Sequence, residues 1–212
     1  MDLILTSVLK SAGNLILFSV IPITWWFISS RKKVSFFRYA GLHKPSLSAR
    51  WYHVLIIAAA ILLLSRFDWT VLIPSSDIAV INQSESVSAN AYAGLAWAAV
   101  IPAFIENFLA NGFCEELFFR GFLTKRLISG IGVNGGIIVQ AVIFGLIHNI
   151  LCFAGGIRVS PAYHIVMFLM TFTGGSLLGI LSEKILDGSI LPGIILHGLV
   201  NFIMSMSIAF AK

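Results

Sequence analysis

The stretch Cys114-Glu115-Glu116-Leu117-Phe118-Phe119-Arg120-Gly121-Phe122-Leu123 sets two adjacent carboxylates and an arginine inside an otherwise apolar run. At about 100° per residue, Glu116 and Arg120 share one helical face in the favourable acid-before-base order, while Glu115 points to a neighbouring face. One carboxylate is neutralised and the other stays free. Phe113, Leu117, Phe118, Phe119, Phe122 and Leu123 leave no water-facing stripe. Ionisable groups at membrane depth are costly and line cavities or pathways, so the stretch reads as a functional site on a membrane helix. The plainer alternative is a buried ion pair that only fixes helix packing.

Outward from this stretch the rest of the chain agrees. Of 212 residues, 58% are hydrophobic and 11% charged, and the mean hydropathy is +0.95. A soluble domain could not cover that much apolar surface. The expected fold is all-α, a polytopic transmembrane helix bundle of about six spans. The net charge of +5 comes from basic residues clustered between apolar runs, which positive-inside topology explains and nucleic-acid binding does not. Cys114 and Cys152 lack CxxC spacing and read as small buried hydrophobes. The first apolar run is long and followed by Arg31-Lys32-Lys33, so it reads as a retained signal anchor rather than a cleaved peptide.

The apolar runs fall near 3–28, 51–65 with an extension towards 73, 92–109, 133–153, 162–181 and 190–210. Pro22 is a candidate kink in the first. The third continues through Asn111-Gly112 into the paired glutamates and is too long for one straight span, which predicts a break at Asn111-Gly112. Between the first two runs, Arg31, Lys32, Lys33, Arg38, Lys44 and Arg50 stand without an acid, whereas 74–90 holds Asp77 and Glu85 without a base. The basic segment is therefore expected in the cytoplasm and 74–90 outside as a loop, in a multi-pass cell-membrane protein with its N-terminus outside. Lys10, Arg66, Arg158 and Lys212 fall on the outer side, Lys125, Arg126 and Lys184 on the inner.

Two further apolar runs carry polar groups. His148 stands four residues after Phe144, and His197 four before Asn201, so each pair occupies one helical face. A lone intramembrane histidine is often a helix-to-helix hydrogen bond. Three runs that each contribute polar groups, in a chain with few charges, point instead to one shared site. A carboxylate with a histidine can take a proton from water, and a second histidine with an amide can donate to a tetrahedral oxyanion. Hydrolysis of an acyl bond suits these parts. Glutamate and histidine also bind metals, but the HExxH spacing is absent. No cofactor is expected, and a divalent metal is not favoured. Gly174-Gly175-Ser176 lacks a GxSxG frame and reads as close helix packing. Glu106 and Asn107 form a further polar pair to which the sequence assigns no role.

The segment from Glu115 to Gly121 resembles the EExxxR motif of the CAAX-protease and bacteriocin-processing (CPBP, or Abi) family of intramembrane proteases. Phe144-Gly145-Leu146-Ile147-His148 resembles its FxxxH motif, and His197-Gly198-Leu199-Val200-Asn201 its HxxxN motif. The resemblance implies a helical fold with a glutamate-dependent peptidase site opening towards the cytosolic side. It divides the chain into residues 1–90, N-terminal helices and loops without motifs, and 91–212, a catalytic membrane core. Carried over, Glu115 with His148 would activate water, His197 with Asn201 would form the oxyanion hole, and Glu116, Arg120 and Phe144 would support the site. The implied substrate is a membrane-associated peptide or protein in the bilayer, processed by a bacterial-type member acting on a bacteriocin or signalling precursor. The alternative is a non-catalytic immunity factor, regulator or transporter that keeps these residues for binding.

Overall fold

The computed structural model describes residues 3–45 and 51–211. Arg50 and Lys212, two of the cations used to orient the chain, lie outside the described residues. The elements are α1 (Leu3–Ser29), α2 (Phe36–Tyr39), α3 (Trp51–Arg66), α4 (Ser75–Gln83), α5 (Ala96–Ala154), α6 (Pro161–Ile185) and α7 (Leu191–Ala209), joined by short 3-10 turns. Among the described residues there is no strand.

Four of these helices, α1, α5, α6 and α7, are long and apolar enough to cross a membrane, against the six runs expected. The shortfall has two causes. Helix α3 has 16 residues, below the ~20 that span a hydrocarbon core. The third and fourth runs lie on one 59-residue helical stretch, α5. That stretch is folded back on itself at Gly132, whose φ of 76° and ψ of 170° leave the helical region. Phe119 and Phe144 would stand roughly 37 Å apart on a straight helix, yet their ring centroids are 4.8 Å apart. The limbs 96–131 and 133–154 therefore pack side by side.

No break occurs at Asn111-Gly112. The helix instead widens into two π-helical segments, Glu106–Phe113 and Leu117–Thr124, on either side of the α-turn Cys114–Glu116. Gly112 serves close approach: a Cβ there would meet the Ile194 carbonyl at 2.9 Å and the Gly198 amide nitrogen at 3.1 Å, so α7 lies against the first limb. Pro22 sits within an unbroken α1. The expected outer loop contains α4, whose Asp77 is buried and accepts from the Ser160 amide at 3.1 Å and hydroxyl at 2.5 Å, capping the start of α6.

Helix α1 packs along the first limb, α6 along the second, and α3 closes on α6 and α7. Ile57 and Ile61 of α3 meet Leu178, Leu181 and Leu196 in one buried cluster. Large apolar side chains cover the outside, as a lipid-facing surface requires; Ile28 is 80% exposed and Leu63 73%. The pair left without a role, Glu106 and Asn107, holds the bundle together. Buried Glu106 accepts from Lys10 Nζ at 2.5 Å and from the Tyr92 hydroxyl at 2.7 Å. Asn107 donates to Ser205 Oγ of α7 at 3.0 Å. Both cysteines are free and buried.

The conformation at Gly132 is one that only glycine adopts without strain, although a Cβ there would meet open space. Gly132→Ala is expected to destabilise the folded protein by roughly 1–3 kcal/mol, measured as a lowered unfolding midpoint in detergent.

Candidate active site

The first limb of α5 brings Glu115, Glu116 and Arg120, the second limb brings Phe144 and His148, and α7 brings His197 and Asn201. Arg120 is fully buried and Glu116 nearly so. Their i, i+4 pair forms with Arg120 Nη1 2.8 Å from Glu116 Oε1. The same oxygen lies 2.9 Å from His197 Nδ1, which donates to it as Nδ1–H. Glu116 thus joins the first limb to α7.

Glycines make room for this pair. A Cβ at Gly193 of α7 would lie 3.2 Å from Glu116 Oε2, and one at Gly175 of α6 would lie 3.3 Å from Arg120 Nη2. The Phe144 ring faces the guanidinium, with Arg120 Cζ 4.6 Å from its centroid, so a cation–π contact compensates part of the desolvation. Arg120 Nε and Nη2 have no hydrogen-bond partner. Gln140, fully buried in the second limb, donates to the Gly175 carbonyl at 2.9 Å and fixes the wall behind Arg120.

Glu115 is held differently. Its Oε2 is buried, accepts no hydrogen bond, and lies 3.8 Å from His197 Nε2. With Nδ1–H committed to Glu116, Nε2 of a neutral imidazole presents its lone pair towards this oxygen. His197 therefore lies between the two glutamates. His148 does not join them: no hydrogen bond or ion pair links it to Glu115 or Glu116 among the described residues. Its Nδ1 lies 2.7 Å from the Phe144 carbonyl of its own helix, and its ring meets the Phe144 ring edge-on at 4.4 Å. The Phe144 ring stands between the histidines, with its centroid 6.3 Å from that of His197.

Asn201, one turn beyond His197, lines a chamber of about 130 Å³ with His197, Phe144, Thr171 and Gly174, and with Ile61 and Leu64 of α3. Among the described residues no group of three His, Cys, Asp or Glu side chains is arranged to hold a metal ion. The chamber is mainly apolar, and the imidazole of His197 links it to the glutamates: Glu116 Oε1 is engaged by two donors, and Glu115 Oε2 has none.

The arrangement separates the two glutamates by experiment. Removing one partner of a buried pair leaves an uncompensated charge, so Arg120→Ala is expected to cost about 3–5 kcal/mol of stability. Glu116→Gln combined with Arg120→Met removes both charges and recovers part of that loss. Unfolding midpoints of the single and double variants in one detergent provide the comparison; equal losses in both would show that Arg120 serves Glu115 as well.

Gly193, Gly175 and Gln140 did not stand out as site residues in the sequence; Gly175 was legible only as a packing glycine. The family model of the type II CAAX prenyl endopeptidase Rce1-like proteins matches residues 96–203, just over half of the chain, from the start of α5 through HxxxN. No curated protein and no solved structure matches it. The adjacent glutamates, their arginine, and a histidine and an asparagine from the last helix all fall inside the matched residues; the chain belongs to the Rce1-like type II CAAX prenyl endopeptidase family.

Proposed function

We propose that this membrane protein is an intramembrane endopeptidase in which Glu115 is the general base. The observation that carries this reading is the buried, unsatisfied Glu115 Oε2, 3.8 Å from His197 Nε2 and beside a Glu116 already engaged by two donors. With the imidazole neutral, both atoms are acceptors, and their spacing suits one water that donates a hydrogen bond to each. That water attacks the scissile carbonyl carbon and gives its proton to Glu115. The carbonyl oxygen becomes the oxyanion, for which Asn201 Nδ2 is the donor on the same face of α7. The proton then passes from Glu115 to the leaving amide nitrogen as the C–N bond breaks.

In this reading His197 orients the water. His148 stands across the Phe144 ring, bonded to its own helix. The substrate is a membrane-associated peptide or protein. A chamber of about 130 Å³ is far below the roughly 300–1,000 Å³ of pockets that enclose larger ligands. It favours an extended peptide with a small side chain, such as a bacteriocin or signalling precursor of a bacterial-type enzyme. We further propose about six crossings, the limbs of α5 each spanning and α3 spanning together with its apolar extension towards 73, with the basic 31–45 segment cytoplasmic and the N-terminus outside.

Glu115→Gln is expected to lower cleavage roughly 10²- to 10⁴-fold with little change in unfolding midpoint. His197→Ala falls with it, and Asn201→Ala loses roughly 10²- to 10³-fold. The measurement is new peptide N-termini released from a membrane proteome by purified variants; near-wild-type release by Glu115→Gln removes the mechanism. Orientation has its own check. In intact cells an impermeant thiol reagent should modify a cysteine at Ser84 and spare one at Ser35.

A further inference from the structure

The segment after α1 has two unlike faces. Its inner face is wedged against the ends of the site helices. Tyr39 and Ala40 are buried, and Arg126 Nη1 donates to the Tyr39 hydroxyl at 2.5 Å, its guanidinium 4.4 Å from the ring centroid. The Ile190 amide donates to the Gly41 carbonyl at 2.9 Å, and Ser189 Oγ to the His43 carbonyl at 2.6 Å. The fit leaves no slack. A Cβ at Gly41, whose φ is +75°, would lie 2.3 Å from the Gly188 carbonyl, and one at Gly121 would lie 2.6 Å from the Ala40 carbonyl. Gly121 follows Arg120 in sequence, and Ile190 stands two turns before His197. One segment therefore touches both helices that carry the Glu115–His197 gap.

The outer face is cationic. Arg31, Lys32, Lys33, Arg38 and Lys44 are exposed, and among the described residues none forms an ion pair. Flush with them stand Phe37, 66% exposed, and Trp25 and Ile28 at the end of α1. The segment joins two apolar helices, so it lies at the depth of the lipid headgroups whichever way the chain is oriented. Exposed aromatic side chains among cations that form no ion pair, Arg31 stacking on the Phe27 ring at 4.0 Å, suit an acidic membrane surface. A soluble acidic partner would satisfy the cations and leave the apolar side chains unmatched.

We propose that residues 31–45 bind the headgroups of acidic phospholipids, and that this contact sets the spacing of the two site helices. The second half of the proposal rests on the peptidase reading of that site; the first does not.

The test uses full-length protein in phosphatidylcholine nanodiscs carrying spin-labelled phosphatidylglycerol or spin-labelled phosphatidylcholine. The wild type is expected to prefer phosphatidylglycerol at least about fivefold, the worth of one basic residue near an acidic surface. Lys32→Gln with Lys33→Gln and Arg38→Gln brings the preference to within about twofold of unity, with the circular dichroism of the folded protein retained. Glu115→Gln keeps the full preference, so loss of the peptidase reading and loss of the lipid site are told apart. Coupling is read without a substrate. In a Cys152→Ser background, the rate of Cys114 modification by N-ethylmaleimide should fall when unlabelled phosphatidylglycerol is added, and should not fall in the triple variant. Equal association of the two lipids, or a preference unchanged by the triple variant, overturns the lipid site. Displacement of the labelled lipid by millimolar glycerol phosphate or by polyglutamate overturns it too, in favour of a free-anion or acidic-protein site. A Cys114 rate indifferent to phosphatidylglycerol overturns the coupling.

Discussion

The structure depends on a buried pair, Glu116 with Arg120, held in apolar surroundings where neither charge tolerates solitude. Its desolvation is offset only if the oxygens and the guanidinium are engaged from several sides. The contacts come from three directions: His197 Nδ1 of α7 on the shared carboxylate oxygen, the Phe144 ring of the second limb under the guanidinium, and the bare backbones of Gly175 and Gly193 alongside. Helices α5, α6 and α7 are thereby held in one arrangement. Glu115, adjacent in sequence but on another face, is what that arrangement leaves unsatisfied. A protein that needed only the ion pair for packing would gain nothing from a second carboxylate beside it.

What could be read from the sequence follows from how local each feature is. The pairing of Glu116 with Arg120 was legible because four residues on a helix fix two side chains on one face, and widening of the helix into π-turns did not undo it. The joint presence of His197 and Asn201 in the chamber was legible for the same reason. The partner of each histidine was not. His148 bonds its own helix and His197 meets the glutamates because of where the limbs pack, which no one-helix pattern encodes. The chain turns back at Gly132, just ahead of the run expected from 133, whereas at Gly112, where the sequence suggested a break, it only passes close to α7. Gly132 stands in the glycine-rich stretch 129–136 and leaves the helical region in both φ and ψ, whereas Gly112 stays within a π-helical segment. Helix α4 was hidden in a polar stretch because its stability comes from contacts such as Asp77 with Ser160.

The residues ahead of the family match are not a passive addition. Helix α1 lies along the first limb, and the segment after it braces the ends of α5 and α7. A core of three site-bearing helices thus sits inside a frame supplied by the less patterned part of the chain. The division between motif-bearing and motif-free residues, sharp in the sequence, has no counterpart in the packing.

The contact between Lys10 and Glu106 also bears on how the protein is assembled. Lys10 of helix α1 precedes its acidic partner by 96 residues, so α1 enters the bilayer with an ammonium group near its outer end that has no counter-charge, at a cost below the roughly 3 kcal/mol that insertion scales give for the centre of the membrane. Arrival of α5 removes that cost and satisfies the carboxylate in the same step. An incomplete bundle is therefore marked by an exposed intramembrane charge, the kind of lesion that membrane quality control can recognise. In the finished protein the ammonium is paired, although its side chain stays 40% exposed.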